Sequence, residues 1–173
     1  MRKILLAALL LAPTVLFAAS PATTFAGKWT LDQNQSQNLP RYYMNVTAHM
    51  LDVTQTAKDL KVGVEIHSTQ HDTDKMSFDY PMDGNETKTE TWVRTPDGPK
   101  AVPTVLKAEP QEDGTLRITI SRELPMPNGE VIKGVTVETW ELAKDGKTLK
   151  IHRADDSKRG KMEFDMTFVR AAA

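Results

Sequence analysis

The sequence predicts an all-β chain, folded as an antiparallel, up-and-down (meander) barrel of about 8–10 strands. Three observations carry that expectation. Asx-Gly pairs stand at Asp83-Gly84, Asp97-Gly98, Asp113-Gly114, Asn128-Gly129 and Asp145-Gly146, at spacings of 14, 16, 15 and 17 residues. Such pairs supply the positive φ angles of tight hairpin turns. Between them apolar and polar residues alternate with period two, the mark of half-buried antiparallel strands. Apart from the amino terminus, no long segment with a helical period competes.

Taken in order, the chain opens on an export signal. Arg2 and Lys3 precede an unbroken apolar run from Ile4 to Leu11, Pro13 breaks it, and small residues follow at Ala18, Ala19, Ser20 and Ala22. The apolar stretch to Phe17, roughly fourteen residues, is short of the ~20 that a spanning helix needs. Residues 1–19 are therefore expected to be removed, with cleavage between 19 and 22, leaving one domain over 23–173. Removing Arg2 and Lys3 from the 22 basic residues leaves 20 against 23 acidic ones, a net charge near −3. That balance argues against nucleic acid or an anionic membrane as the main partner. No cysteine is present, which removes disulfides, thiol chemistry, Cys-ligated zinc and a lipobox. The expected product is periplasmic or secreted, with no transmembrane segment in the mature chain.

The first strand, 25–32, points Phe25, Gly27, Trp29 and Leu31 to one face. An indole needs a deep interior, and Gly27 permits another group to approach beside it. A polar stretch from Gln33 to Pro40 and then Arg41-Tyr42-Tyr43-Met44 form the longest irregular connection. Further strands are expected at 45–57, 60–67, 75–82, 86–95, 101–109, 115–124, 131–142, 147–153 and 161–170. Closing such a meander removes its open edges and buries its apolar face. A sandwich would show the same period.

Phe25-x-Gly27-x-Trp29-x-Leu31 resembles the opening strand of calycins, the superfamily of lipocalins and fatty-acid-binding proteins. The run from Trp140 to Ile151 looks like the penultimate hairpin of bacterial exported lipocalin-like proteins. The resemblance covers essentially the whole mature chain and implies a barrel that binds small apolar molecules. It also implies that Trp29 packs beneath Arg170 at the closed end, with Gly27 beside them. A guanidinium over an indole is worth ~0.5–2 kcal/mol. The chain departs from lipocalins in lacking a Thr-Asp-Tyr motif and room for a C-terminal helix. Its strand count is nearer that of fatty-acid-binding proteins, whose helical lid has no counterpart beyond residues 33–44.

The expected ligand-binding lining consists of Trp29, Met76, Phe78, Tyr80, Met82, Met162, Phe164, Met166 and Phe168. Thioethers and rings make a deformable, polarizable wall; a filled barrel would use the same residues. Tyr42 and Tyr43 are lid candidates over the mouth. Glu90-Thr91-Trp92 and Glu138-Thr139-Trp140 echo one another, and both tryptophans are expected on the outer face, where a Trp often marks a contact surface. His49, His67, His71 and His152 form no metal pattern, and no nucleophile, acid–base pair or phosphate loop stands out. Cofactors are expected to be none. The sequence thus favours a non-catalytic, small-molecule-binding barrel, the alternative being a filled barrel that acts as a protein-interaction module in the cell envelope.

Overall fold

The described Asx-Gly pairs stand between successive strands, and the glycine takes the left-handed backbone that the turn needs, with φ of 85° at Gly114 and 64° at Gly146. The aspartate secures the turn from its other side: Asp113 Oδ1 accepts hydrogen bonds from the Thr115 backbone N–H at 3.0 Å and from its hydroxyl at 2.7 Å. The computed structural model describes residues 23–95, 98–126, 128–158 and 160–171. The expected export signal lies outside them, as does Asp97.

The described residues form ten strands: β1 (Gly27–Leu31), β2 (Val46–Gln55), β3 (Asp59–Ser68), β4 (Asp74–Pro81), β5 (Thr87–Thr95), β6 (Gly98–Pro110), β7 (Leu116–Pro125), β8 (Val131–Leu142), β9 (Thr148–Ser157) and β10 (Gly160–Arg170). They form one sheet in the order β4-β3-β2-β1-β10-β9-β8-β7-β6-β5, with every described pairing antiparallel. The first strand pairs with the last, Trp29 opposite Arg170, so the meander curls back on itself. It is nearly closed: β4 and β5, joined through residues 82–86, end the sheet and share no ladder. Near the far end of this seam, Arg94 of β5 makes an ion pair with Asp74 of β4. The count, order and antiparallel meander are those of the up-and-down barrel that the turn spacing and alternation predict.

The strands alternate as period two demands, and facing residues share a side. Leu116, Trp140 and Ile151 are register partners across β7, β8 and β9, and all three are buried. Trp140 thus corrects the expectation of an outer-face indole: it is only 2% exposed and meets Phe25 edge-on, ring centroids 6.0 Å apart. Trp92 does lie outside, at 65% exposure. The echo between the two motifs is therefore broken by phase. On β8 both phases carry apolar side chains, and Glu138 marks the inner one because it is buried with partners of its own.

One end of the barrel is plugged. Trp29 is fully buried, and its Nε1–H donates to the Phe25 carbonyl at 2.9 Å. The Arg170 guanidinium lies 4.2 Å from its ring centre. Arg170 also donates to the Ala26 and Gly146 carbonyls, each at 2.9 Å, which ties three strand ends together. Gly27 makes the room: a Cβ there would fall 2.1 Å from Arg170 Nη1, and its φ of 141° suits glycine alone.

The polar connection after β1 is docked rather than loose. Gln37 and Asp165 exchange backbone hydrogen bonds of 2.9 and 3.0 Å, and Ser36 Oγ accepts from the Thr167 N–H at 3.0 Å. Because β1 is only five residues long, β10 outruns it, and this segment takes up the free backbone groups. Thr167 is buried beneath it although it sits on the outer phase. The segment leads into a 3-10 helix, Arg41–Asn45, at the end of the barrel opposite the plug.

Candidate functional site

Inward positions change character along the strands. On β7 they run Leu116, Ile118, Ile120, Arg122; on β9, Leu149, Ile151, Arg153, Asp155; on β8, read from its far end, Trp140, Glu138, Thr136, Gly134. Each strand is apolar near the plug and polar toward the mouth. Toward the mouth the barrel opens into a cavity of about 780 Å³, within the few hundred to ~1,000 Å³ typical of small-molecule sites.

The sequence-expected lining divides between the two ends. Met76, Phe78, Tyr80, Met162, Met166 and Phe168 wall the cavity. Trp29 lies in the plug instead, sealed under Arg170. Met82 packs against the core beyond the cavity wall, and Phe164 is buried behind Tyr43, ring centroids 6.1 Å apart. Tyr42 and Tyr43, from the 3-10 helix, both line the cavity with their rings 4.8 Å apart. Tyr43 is buried and Tyr42 is 53% exposed.

Tyr43 is the anchor of that helix. Its hydroxyl lies 3.2 Å from His49 Nδ1 and 3.3 Å from the Met166 sulfur. The imidazole is in turn edge-on to Phe168, at 5.2 Å. Burial, and secondarily the Arg153 charge, lower the His49 pKa to about 4, so at neutral pH it is an uncharged hydrogen-bond partner. Burial likewise raises the pKa values of Tyr43 and Tyr80, which keeps both hydroxyls protonated.

A belt of charge that alternation alone did not disclose crosses the cavity. Arg153 donates from Nη1 to Glu138 at 3.3 Å, and from Nε and Nη2 to the two oxygens of Asp155 at 3.0 and 3.1 Å. Glu138 accepts from the Trp140 indole N–H at 2.9 Å, and Asp155 from the Thr136 hydroxyl. Burial works against the Arg153 charge, but Glu138 and Asp155 more than offset it and hold its pKa above the ordinary arginine value. Arg122, on the neighbouring β7 with Gly134 as its register partner, lines the same cavity. Its Nε–H donates to Thr91 Oγ1 at 3.1 Å, and Thr91 passes the chain on to Thr104 at 2.7 Å. Burial, then repulsion from Arg153, lower its pKa from the usual arginine value. Among the described residues no buried side-chain nitrogen or oxygen lacks a partner.

A signal for this belt was present in the sequence. Arg122 shares the phase of Leu116, Ile118 and Ile120, and Arg153 that of Leu149 and Ile151. A guanidinium that continues an apolar phase is a candidate for the inner side. Among the described residues, no group of three or more His, Asp or Glu side chains is arranged to hold a metal ion. Chemically, the arrangement offers an adaptable apolar wall, one cation with spare donors, and two carboxylates whose oxygens are already engaged.

No family model matches the chain, and no curated protein matches its sequence. Among solved structures it is similar to the zebrafish ileal bile acid-binding protein in complex with cholic acid, at 13% identity and a TM-score of 0.45, over 85% of this chain and 98% of that one. It is also similar to a redesigned β-barrel, mFAP1, bound to DFHBI, at 12% identity and a TM-score of 0.34, over 84% of this chain and 94% of that one.

Proposed function

We propose that the mature chain is an exported, non-catalytic carrier that holds one small, largely apolar molecule in the mouth half of its barrel. The cavity of about 780 Å³, walled by Met76, Phe78 and Met166, is the observation that carries this reading. Space of that size beside side chains able to repack suits a guest better than a core. The non-catalytic part is supported by the engagement of both carboxylates: Glu138 and Asp155 each spend both oxygens on Arg153, Trp140 or Thr136, which leaves neither poised as a base. Export is supported by the basic start, apolar run and small-residue site within residues 1–22. Among the described residues no helix is long and apolar enough to cross a membrane.

The test is titration of the purified 23–173 chain with Nile red, a neutral apolar dye. Saturable, one-to-one uptake is expected; its absence at any accessible concentration overturns the carrier reading. The export half has its own measurement. Mass spectrometry of the protein from its native host should find a start between Ser20 and Phe25, and an intact Met1 in the major soluble form would contradict it. Trp92, with 65% of its surface exposed on the outer face, favours a second reading as a protein-interaction module. That reading gains if dye uptake fails while Trp92→Ala removes a partner captured by the parent protein.

A further inference from the structure

We propose that the cavity selects an electrically neutral amphiphile, its oxygen-bearing head set against Arg122, over a carboxylate- or ammonium-headed molecule of the same length. This deepens the carrier reading and rests on it.

Arg153 holds two carboxylates, Glu138 and Asp155, so this triad alone is one negative charge in excess. Arg122 lines the same cavity and supplies the missing positive charge, although no ion pair ties it to a carboxylate among the described residues. The inner belt is thus two guanidiniums against two carboxylates, with no net charge. The rim does not disturb that balance: Asp74 pairs with Arg94, and Asp156 pairs outward with Lys161 at 2.9 Å.

Hydrogen-bond capacity points to the head group. Arg122 commits Nε to Thr91, and its terminal nitrogens make no hydrogen bond with the described residues. Those donors call for an acceptor oxygen from the guest. A carboxylate could supply one, but it would bring a third anion into a belt where Arg122 already neutralises the triad. The result is a buried net charge, which a low-dielectric site disfavours. An ammonium head would meet two guanidiniums with no free carboxylate oxygen to receive it. A hydroxyl, ester or amide oxygen accepts from Arg122 and adds no charge. The remainder of the guest lies against Met76, Phe78 and Met166, so the class is a single-headed, uncharged lipid-like molecule such as a fatty alcohol, amide or glyceride.

The experiment displaces Nile red at neutral pH with dodecanol, dodecanoate and dodecylammonium, which share a tail and differ in charge. Dodecanol is expected to act at a concentration at least roughly tenfold below either ion, the scale on which burying an unbalanced charge is felt. Glu138→Gln removes one negative charge and should bring dodecanoate level with dodecanol or below it. Asp155→Asn should do the same and guards against Glu138→Gln failing to fold, since Glu138 also holds Trp140. Far-UV circular dichroism and dye affinity confirm that each variant is intact. Arg122→Met should weaken dodecanol and favour dodecylammonium. A parent protein that prefers dodecanoate to dodecanol overturns the inference, and so does a ranking unmoved in both folded carboxylate variants. Either result leaves the carrier reading standing, whereas failure of dye uptake removes both.

Discussion

The plug and the mouth are built from the same strands, yet they are organised by different rules. At the plug, Trp29, Phe25, Trp140, Leu60, Leu116 and Leu149 fill the barrel with apolar surface, and one cation, Arg170, closes it from outside. Toward the mouth the same strands turn inward Arg122, Thr136, Glu138, Arg153 and Asp155, and the interior opens into a cavity. At the plug, apolar burial and close packing hold the sheet together. At the mouth, ion pairs and hydrogen bonds line the walls, and among the described residues every fully buried side-chain nitrogen or oxygen has a partner, while the terminal nitrogens of Arg122 stay unbonded beside the cavity. The lesson is that one alternating pattern can specify a core and a site together, the difference lying in which residue types occupy its inner phase.

The largest expected effect belongs to the plug. Trp29→Ala removes the indole from beneath Arg170 and should cost ~3–5 kcal/mol, as large aromatic truncations in cores do. Urea unfolding checks it. A loss below ~1 kcal/mol would mean that the two ends do not differ as described, because an indole so placed would not be carrying the closure.

A smaller effect, dependent on pH, belongs to the mouth. His49 stays neutral in the folded protein down to about pH 4, whereas an unfolded histidine takes up a proton near pH 6.5. Between those values the unfolded chain binds more protons, so stability rises with pH and falls on acidification. At about pH 4.5 the loss from this one group should reach about 2–3 kcal/mol relative to neutral pH. Comparing the parent with His49→Gln at both pH values isolates it from the carboxylates, which titrate in both proteins. The variant should show the shallower pH slope. Equal slopes would place the His49 ring in water, not behind Tyr43, and would remove the anchor assigned to the 3-10 helix.

How far the sequence reaches follows the same division. Strand number and turn positions were readable because Asx-Gly pairs and period-two alternation are local signals, and the ladder obeys them. The plug was readable through Phe25-x-Gly27-x-Trp29, where a bulky ring and a missing Cβ stand at strand spacing. The mouth was less so. On β8 both phases contain apolar residues, so Glu138 and Trp140 looked like an outer pair until the Leu116–Trp140–Ile151 register fixed their side. His49 was obscured similarly, since Leu51 and Val53 share its phase while Met50 and Ala48 occupy the other. Arg122 and Arg153 stand on apolar phases of their own strands, but that they are met there by Thr91 and Glu138 from other strands leaves no mark on any single strand. Met82 was misplaced for a simpler reason: continuing the Met76, Phe78, Tyr80 alternation carries it past the cavity floor into the packed end.

Met76→Trp gives the most direct test of a hollow mouth beside a filled plug. Met166 is the poorer choice, because its sulfur accepts from Tyr43 and its replacement would also free the 3-10 helix. Met76 lines the cavity from β4, an end strand of the sheet, and is only partly buried. Enlarging it should fill space rather than strain a core. With a hollow mouth, Met76→Trp should abolish saturable Nile red uptake while urea stability changes by less than ~1 kcal/mol. If the barrel is instead packed to the mouth, the same change should destabilise it by ~1–3 kcal/mol, as overpacking does, with no dye uptake to lose in the parent.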